Sequence, residues 1–290
     1  MILIDGLLHS ARGIFALKNP DSVQKGETRR IMEAVKPYFL APYKNGSRWD
    51  RATRVIQGRV HCVERANHGL AHGLRQGALA KDIFALLIHY SITDTSGIVE
   101  WARCKQAQDP LWGRKIQIAA SYQRSGRQME CSSLSHPELY KYYEMQDTVN
   151  FRRDADKFPE FADSEELRIF EEAILWSNPG VLNENEVEDL KYVRRILHAA
   201  HTLDLRRMLA FSGDKIQQDA VDQLFNKDLP SECQALKQLL WDRSGEYLKE
   251  TGDRDLVAQT GYQDSFFIQS HKPFQLVDAI CKVSTRNFIS

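Results

Sequence analysis

Residues 185–211, NEVEDLKYVRRILHAAHTLDLRRMLAF, decide the fold class. Val187, Leu190, Val193, Ile196, Leu197, Ala200 and Leu203 recur at three- and four-residue steps, the spacing of one apolar stripe on an α-helix. Asn183 or Asn185 can cap its start, and Gly213 lies just past its end. The same period runs through 165–176, 215–225 and 231–250, whereas alternating apolar–polar runs between turn residues are scarce. The expectation is an all-α fold built as a compact multi-helix domain.

Outward from that helix, turn-forming residues punctuate the chain at 41–49 (APYKNGSRW), 94–97, 108–113, 178–180 and 250–261. A long polar segment, 125–137 (SGRQMECSSLSHP), lies between helical stretches. Loops of this kind carry function out of proportion to their length, because a rigid scaffold positions them. No repeat, low-complexity tract or interdomain linker interrupts the pattern. The chain therefore reads as one domain over 1–290, with 214–290 open as a C-terminal helical lobe.

The 290 residues carry 39 basic and 39 acidic side chains, a formal net charge of zero. Nucleic-acid binders gather an excess of basic residues because phosphate neutralisation dominates their affinity, so nucleic acid is not an expected partner. Arg51, Arg54, Arg59 and Arg65 suit an isolated phosphate better than a duplex. Five scattered cysteines without a C-x-x-C spacing argue against a disulfide framework and a thiolate zinc site, and fit a reducing compartment. No run approaches the ~20 apolar residues that span a bilayer, so no membrane insertion is expected. The start, MILIDGLLHSARG, lacks the basic region and cleavage site of a secretory signal.

The histidines cluster. His61, His68, His72 and His89 fall in one stretch, and His198 and His201 share the long helix. His68 and His72 are four residues apart in ERANHGLAHGLRQGALAKDIFALLIHY, so on a helix they share a face. Gly69, Ala71 and Gly73 form a small-residue strip that lets a backbone or a ligand come close. His198 and His201, three apart, are followed by Asp204, Arg206 and Arg207. One such histidine reads as a satisfied core side chain. Two pairs on two helices point to chemistry. A neutral imidazole can attack phosphorus while an imidazolium protonates the leaving oxygen. A carboxylate fixes the tautomer of the attacking ring, and arginines neutralise the phosphoryl oxygens. Glu130, in the polar loop, with Arg206 and Arg207, completes that set.

A metal site competes for the same residues. Helical histidine clusters and a later His89 are the pattern of the HD superfamily of metal phosphohydrolases, where an adjacent His-Asp pair holds the ion. Here Tyr90 follows His89 and the next aspartate is Asp94, so the defining ligand is missing. P-loop, dinucleotide-binding and G-x-S-x-G signatures are absent. Tyr140, Tyr142 and Tyr143 read as a packed helix face rather than a base-stacking platform. Leu239, Leu240, Trp241 and Leu248 read as core.

Three segments taken together, NHGLAHGLRQ (67–76), SGRQMECSS…YKYYEMQDTVNFRR (125–153) and LHAAHTLDLRR (197–207), resemble the phosphodiesterase domain of the SidE-type effectors of Legionella and their stand-alone relatives. The resemblance runs from about residue 30 to the end. It implies a helical domain distantly like HD phosphodiesterases, working without metal or cofactor. It implies a substrate, ubiquitin bearing ADP-ribose on an arginine, cleaved with release of AMP and transfer of phosphoribosyl-ubiquitin to a serine of a host target protein or to water. Stand-alone relatives mainly hydrolyse the phosphoribosyl-serine link. Carried over residue by residue, His68 is the nucleophile, with His72 beside it on the phosphate. Glu130 is the supporting carboxylate. His198 or His201 is the general acid, and the spacing of His201 to Arg207 favours His201. Met129 and Cys131 flank Glu130 where small or polar residues are expected. The transferase partner domain of the ligases has no room in this chain, which reads as a stand-alone enzyme or as one domain of a larger ligase. The resemblance also implies a secreted effector acting in the host cytoplasm. Two other readings compete: a metal-dependent nucleotide phosphohydrolase of HD type, and a helical ubiquitin-binding module without catalysis.

Overall fold

The computed structural model describes residues 22–39, 55–56, 59–60, 69–89, 96–126, 136–175, 187–207, 212–225 and 234–251. Among them the chain forms nine α-helices: α1 (Ser22–Phe39), α2 (Leu70–His89), α3 (Ile98–Gln108), α4 (Trp112–Tyr122), α5 (His136–Asp154), α6 (Ser164–Leu175), α7 (Glu188–Asp204), α8 (Gly213–Phe225) and α9 (Gln234–Thr251). Two 3-10 turns, Ala155–Lys157 and Pro159–Phe161, follow α5 and one, Leu205–Arg207, follows α7. The two-residue antiparallel pair β1 (Val55–Ile56) and β2 (Arg59–Val60) is too small to alter the class, which is all-α.

Two helices are central: α2, whose sequence is apolar or small on most faces, and α7, whose apolar stripe is flanked by polar side chains that are buried with it. In α2 the run Leu70–Ala80 is buried without a break, and α7 buries Leu190 and nearly every residue from Tyr192 to Asp204. Gly73 and Gly77 let α2 lie against α4. A Cβ on Gly77 would meet the Ser121 hydroxyl and stand 2.8 Å from the Gln117 carbonyl oxygen. Within the small-residue strip, Gly73 admits neighbouring helices, since a Cβ there would meet the Phe39 ring and stand 3.0 Å from the Ser121 carbonyl oxygen.

Around this pair an aromatic core closes the fold. Trp101 stands edge-on to Trp112 and Phe84, and Phe161 edge-on to Phe151 and Phe170. These are geometries in which the positive ring edge meets a negative face. Buried polar bonds fix the outer helices. Trp101 Nε1 donates to Asp189 at 2.8 Å, joining α3 to α7. Tyr247 donates to Asp82 at 2.9 Å, Arg243 lies 3.1 Å from the same carboxylate, and Ser244 donates to the Leu203 carbonyl, pinning α9 on both central helices.

The helix expected over 185–211 is confirmed over 188–204, with a 3-10 turn through Arg207; residues 208–211 and the caps Asn183 and Asn185 lie outside the described residues. Gly213 opens α8 instead of closing α7, because the tightening at 205–207 already ends the helix. Tyr143 and Leu240 are buried as read, whereas Leu239 and Trp241 are half-buried. The side chains of Tyr140, Arg51, Arg54, Arg59 and Arg65 lie outside the described residues.

Candidate active site

The first turn of α2 and the last two turns of α7 face one another. Three-residue spacing places His72 and Arg75 on one side of α2, and His198, His201, Asp204 and then Arg207 along one side of α7. The two faces meet at Asp204. His72 Nδ1 lies 2.6 Å from Asp204 Oδ2, and Arg75 reaches both carboxylate oxygens, Nε to Oδ1 at 2.7 Å and Nη2 to Oδ2 at 3.1 Å. Arg207 Nη1 donates to the Asp204 carbonyl at 2.7 Å and to Oδ2 at 3.0 Å. The other end of Arg75 donates to Thr251 at 3.0 Å, tying the cluster to α9. The ring of His201 stands edge-on to His72, centroids 5.4 Å apart.

Electrostatics set the protonation states. Burial alone would raise the Asp204 carboxyl, but the Arg75 and Arg207 guanidiniums and the His72 hydrogen bond hold it well below the usual carboxylate range. It is therefore an anion, and an anion can only accept, so His72 Nδ1 carries the proton. His72 itself is pushed down to about 3, first by burial and then by Arg207. The Asp204 bond opposes that shift and does not overcome it, since Arg75 and Arg207 already share the carboxylate. His72 is thus neutral at pH 7, with Nε2 bearing the lone pair.

His198 is pushed down to about 3 by burial and by the charges of Arg124 and Arg194. His201 is driven well below its ordinary range by burial, then by Arg124, His72, Arg207 and His198. Both rings are half-buried by exposed area, while His198 Nε2 and His201 Nδ1 are buried atoms with no hydrogen bond among the described residues.

Of the residues singled out from sequence, His72, His198, His201 and Arg207 come together here. Arg206 does not: its guanidinium donates to the Trp241 carbonyl and lies 3.9 Å over the Trp241 ring, on α9. His68 and Glu130 lie outside the described residues. Two members were missed, Arg75 and the anchoring role of Asp204. The signal was available, since 72/75 and 201/204/207 repeat the three-residue step of one helix face.

The polar loop that carries Glu130 leaves the scaffold beside this cluster. After α4 the chain turns through Arg124, which adopts a left-handed φ of 71°. Asp147, buried on α5, accepts from the backbone N–H of Arg124 at 2.8 Å and of Gly126 at 2.5 Å. Asn150 donates to Ser125 Oγ at 3.1 Å, and Gln76 of α2 donates to Gln123. Gly126 is required here: a Cβ would stand 2.5 Å from the Tyr143 carbonyl oxygen.

Among the described residues no group of three or more His, Cys, Asp or Glu is placed to hold a metal ion. The positive charge on Asp204 comes from guanidiniums. No described helix is long and apolar enough to cross a membrane. A comparison with curated proteins finds none that matches the chain. Residues 42–258, however, match the SidE phosphodiesterase (PDE) domain, a span that contains both histidine helices, the Asp204 cluster and the polar loop. With that match across well over half of its length, the chain belongs to the SidE phosphodiesterase domain family.

Proposed function

We propose that the chain is a metal-independent phosphodiesterase acting on modified ubiquitin: on ubiquitin carrying ADP-ribose, on the phosphoribosyl link between ubiquitin and a target serine, or on both. The observation that carries this reading is the meeting of two helices that bear three neutral imidazoles, with His72 bonded to Asp204 and His201 edge-on to His72, inside the span that matches the family. Neutral imidazole is the nucleophilic form, and a wall of arginine charge suits a phosphate anion.

In the proposed reaction a nitrogen of His68, oriented by Glu130, attacks phosphorus. An N–P bond forms as the P–O bond to the leaving group breaks, and His201 or His198 delivers a proton to the departing oxygen. A serine hydroxyl or water then attacks the phosphohistidine, returning the imidazole and yielding either a serine conjugate or free phosphoribosyl-ubiquitin. His72 and Arg207 border the phosphate. The family supports a secreted effector working in the cytoplasm of a host cell on ubiquitin and serine-bearing target proteins.

The test uses the purified chain in EDTA with ADP-ribosylated ubiquitin and, separately, a protein carrying phosphoribosyl-ubiquitin on serine, followed by mass spectrometry. Turnover in EDTA that falls by about three orders of magnitude or more in His68→Ala supports the reading. Turnover that requires added Mn²⁺, or that survives His68→Ala, sinks it. The faster substrate separates ligase from deconjugase.

A further inference from the structure

We propose that Arg206 is a positioning residue of this site: seated in a slot of α9 made by Trp241 and Gly245, it fixes the turn that aims Arg207 at Asp204. This deepens the phosphodiesterase reading and rests on it for the reaction that the turn serves.

Arg206 lies in the 3-10 turn Leu205–Arg207, next to the arginine that bonds Asp204. Its guanidinium carbon stands 3.9 Å from the centroid of the Trp241 ring, well inside the range of a cation–π contact, and its Nη1 donates to the Trp241 carbonyl. A missing side chain opens the slot. A Cβ on Gly245, one turn further along α9, would stand 2.8 Å from the guanidinium carbon, 2.6 Å from Nη1 and 3.0 Å from Nη2. Glycine inside a helix is less stable than alanine. α9 carries that cost at Gly245, and the guanidinium fills the room it leaves.

The same face of α9 reaches the other arginine of the cluster, because 241, 244, 248 and 251 follow the step of one helix face. Ser244 donates to the Leu203 carbonyl at 2.9 Å, just ahead of the turn, and Thr251 accepts from Arg75 at 3.0 Å. Arg75 is thus set from α9 directly, and Arg207 through its neighbour. Adjacent residues of a 3-10 turn project about 120° apart, so a turn that shifts at Arg206 swings Arg207 with it. That motion loosens the bonds of Arg207 to the Asp204 carbonyl at 2.7 Å and to Oδ2 at 3.0 Å. Oδ2 also accepts from His72 Nδ1, so the change reaches the imidazole.

The experiment uses the full chain and the variants Arg206→Met, Arg206→Lys and Gly245→Ala. Each is followed by thermal unfolding, by NMR of the histidine ring nitrogens and their protons, and by turnover of ADP-ribosylated ubiquitin. Alanine favours the helix, and its Cβ meets only the end of a flexible side chain. Gly245→Ala should therefore unfold at or above the wild-type Tm while its guanidinium is displaced. In the wild type His72 carries its proton on Nδ1, with a resonance drawn downfield by the 2.6 Å bond. Once Arg207 slackens, Oδ2 has one donor fewer, and that resonance should move further downfield in Gly245→Ala and Arg206→Met. In both, kcat should fall about tenfold or more, and by a larger factor than KM changes. Arg206→Lys keeps a positive charge and a donor for the Trp241 carbonyl, so it should recover most of both.

In an active chain, a kcat that stays at the wild-type value in Gly245→Ala and Arg206→Met would overturn the proposal, as would losses that merely follow a lowered Tm. A wild-type His72 protonated on Nε2 would overturn it too. If the resonance moves as expected but the wild type turns over no ADP-ribosylated ubiquitin, the positioning stands and the activity proposed above falls. If the wild type is active and the variants change neither readout, the activity stands and the positioning falls.

Discussion

His72 Nδ1 and Asp204 Oδ2 lie 2.6 Å apart, and this contact couples the start of α2 to the end of α7, 132 residues along the chain. The same carboxylate receives Arg75 and Arg207. One anion therefore satisfies two buried cations and fixes the tautomer of a buried histidine. Removing it takes that counter-charge from guanidiniums held out of water, which costs far more than the pair contributes when intact.

Asp204→Ala should accordingly lower the unfolding free energy by about 3–5 kcal/mol, read from urea denaturation with its slope unchanged. Asp204→Asn, which keeps an acceptor oxygen, should lose less. A drop under about 1 kcal/mol in Asp204→Ala would show that the arginines find other partners and that the carboxylate does not organise the cluster.

Acid should weaken the fold well above the carboxylate range. Unfolded histidine titrates near 6.5; His72 and His198 are held near 3 in the folded chain, and His201 is well below its ordinary value. Below pH 6.5 the unfolded chain takes up protons that the folded chain refuses, so stability falls with pH through that window and is flat above it. The loss is roughly 2 kcal/mol per histidine at pH 5. Asp82 works in the opposite sense, because burial, only partly offset by Arg243 and Tyr247, leaves its carboxyl easier to protonate when folded. Urea midpoints at pH 7.5 and pH 5 measure the balance. Equal stability at the two values would contradict neutral buried histidines, and His198→Gln should narrow the difference.

These assignments show where the sequence was informative. The three- and four-residue steps through Val193, Ile196 and Leu203 place α7 because burial of one stripe is what stabilises such a helix. The histidine pairs were visible for the same reason, since spacing on a helix fixes the face. Arg206 and Arg207 were indistinguishable by spacing alone. Only the 3-10 turn at 205–207 sends one to Trp241 and the other to Asp204. The left-handed Arg124 carries no sequence signature. Its conformation is imposed by Asp147 across 23 positions of chain. The partners of Arg75 were hidden too: Asp204 lies 129 residues away and Thr251 176.

Gly77 offers a test of the α2–α4 contact that is independent of the active site. A Cβ there would clash with the Ser121 hydroxyl, which can rotate, and would stand 2.8 Å from the Gln117 carbonyl oxygen, which cannot move without the helix. Gly77→Ala gains helix propensity of about 1 kcal/mol on an isolated helix, yet forcing the helices apart typically costs about 1–3 kcal/mol. The variant should therefore be less stable than wild type by calorimetry. Increased stability would mean that α2 stands farther from α4 than this packing requires.

Phosphate binding should draw a proton into the site at neutral pH. A general acid must be an imidazolium, whereas His198 and His201 are neutral in the protein without ligand, depressed by burial and by Arg124, with Arg194 and Arg207 adding to each in turn. An anion lodged among those arginines reverses the balance: it offsets their charge and offers the ring nitrogens an acceptor, and both effects favour the protonated ring. The histidine pKa rises on binding, so complex formation at pH 7 takes up a fraction of a proton from the buffer. Calorimetric titration with inorganic phosphate in buffers of different ionisation enthalpy reads that fraction from the slope of the observed heat, once the proton exchange of phosphate itself is subtracted. The uptake should shrink when His201→Gln removes the ring that faces His72, if His201 is the acid, and should shrink in His198→Gln if that role belongs to its neighbour. Binding with no net uptake in the wild type would mean that the acid is loaded before substrate arrives, and the proton would then have to come from a group other than these two histidines.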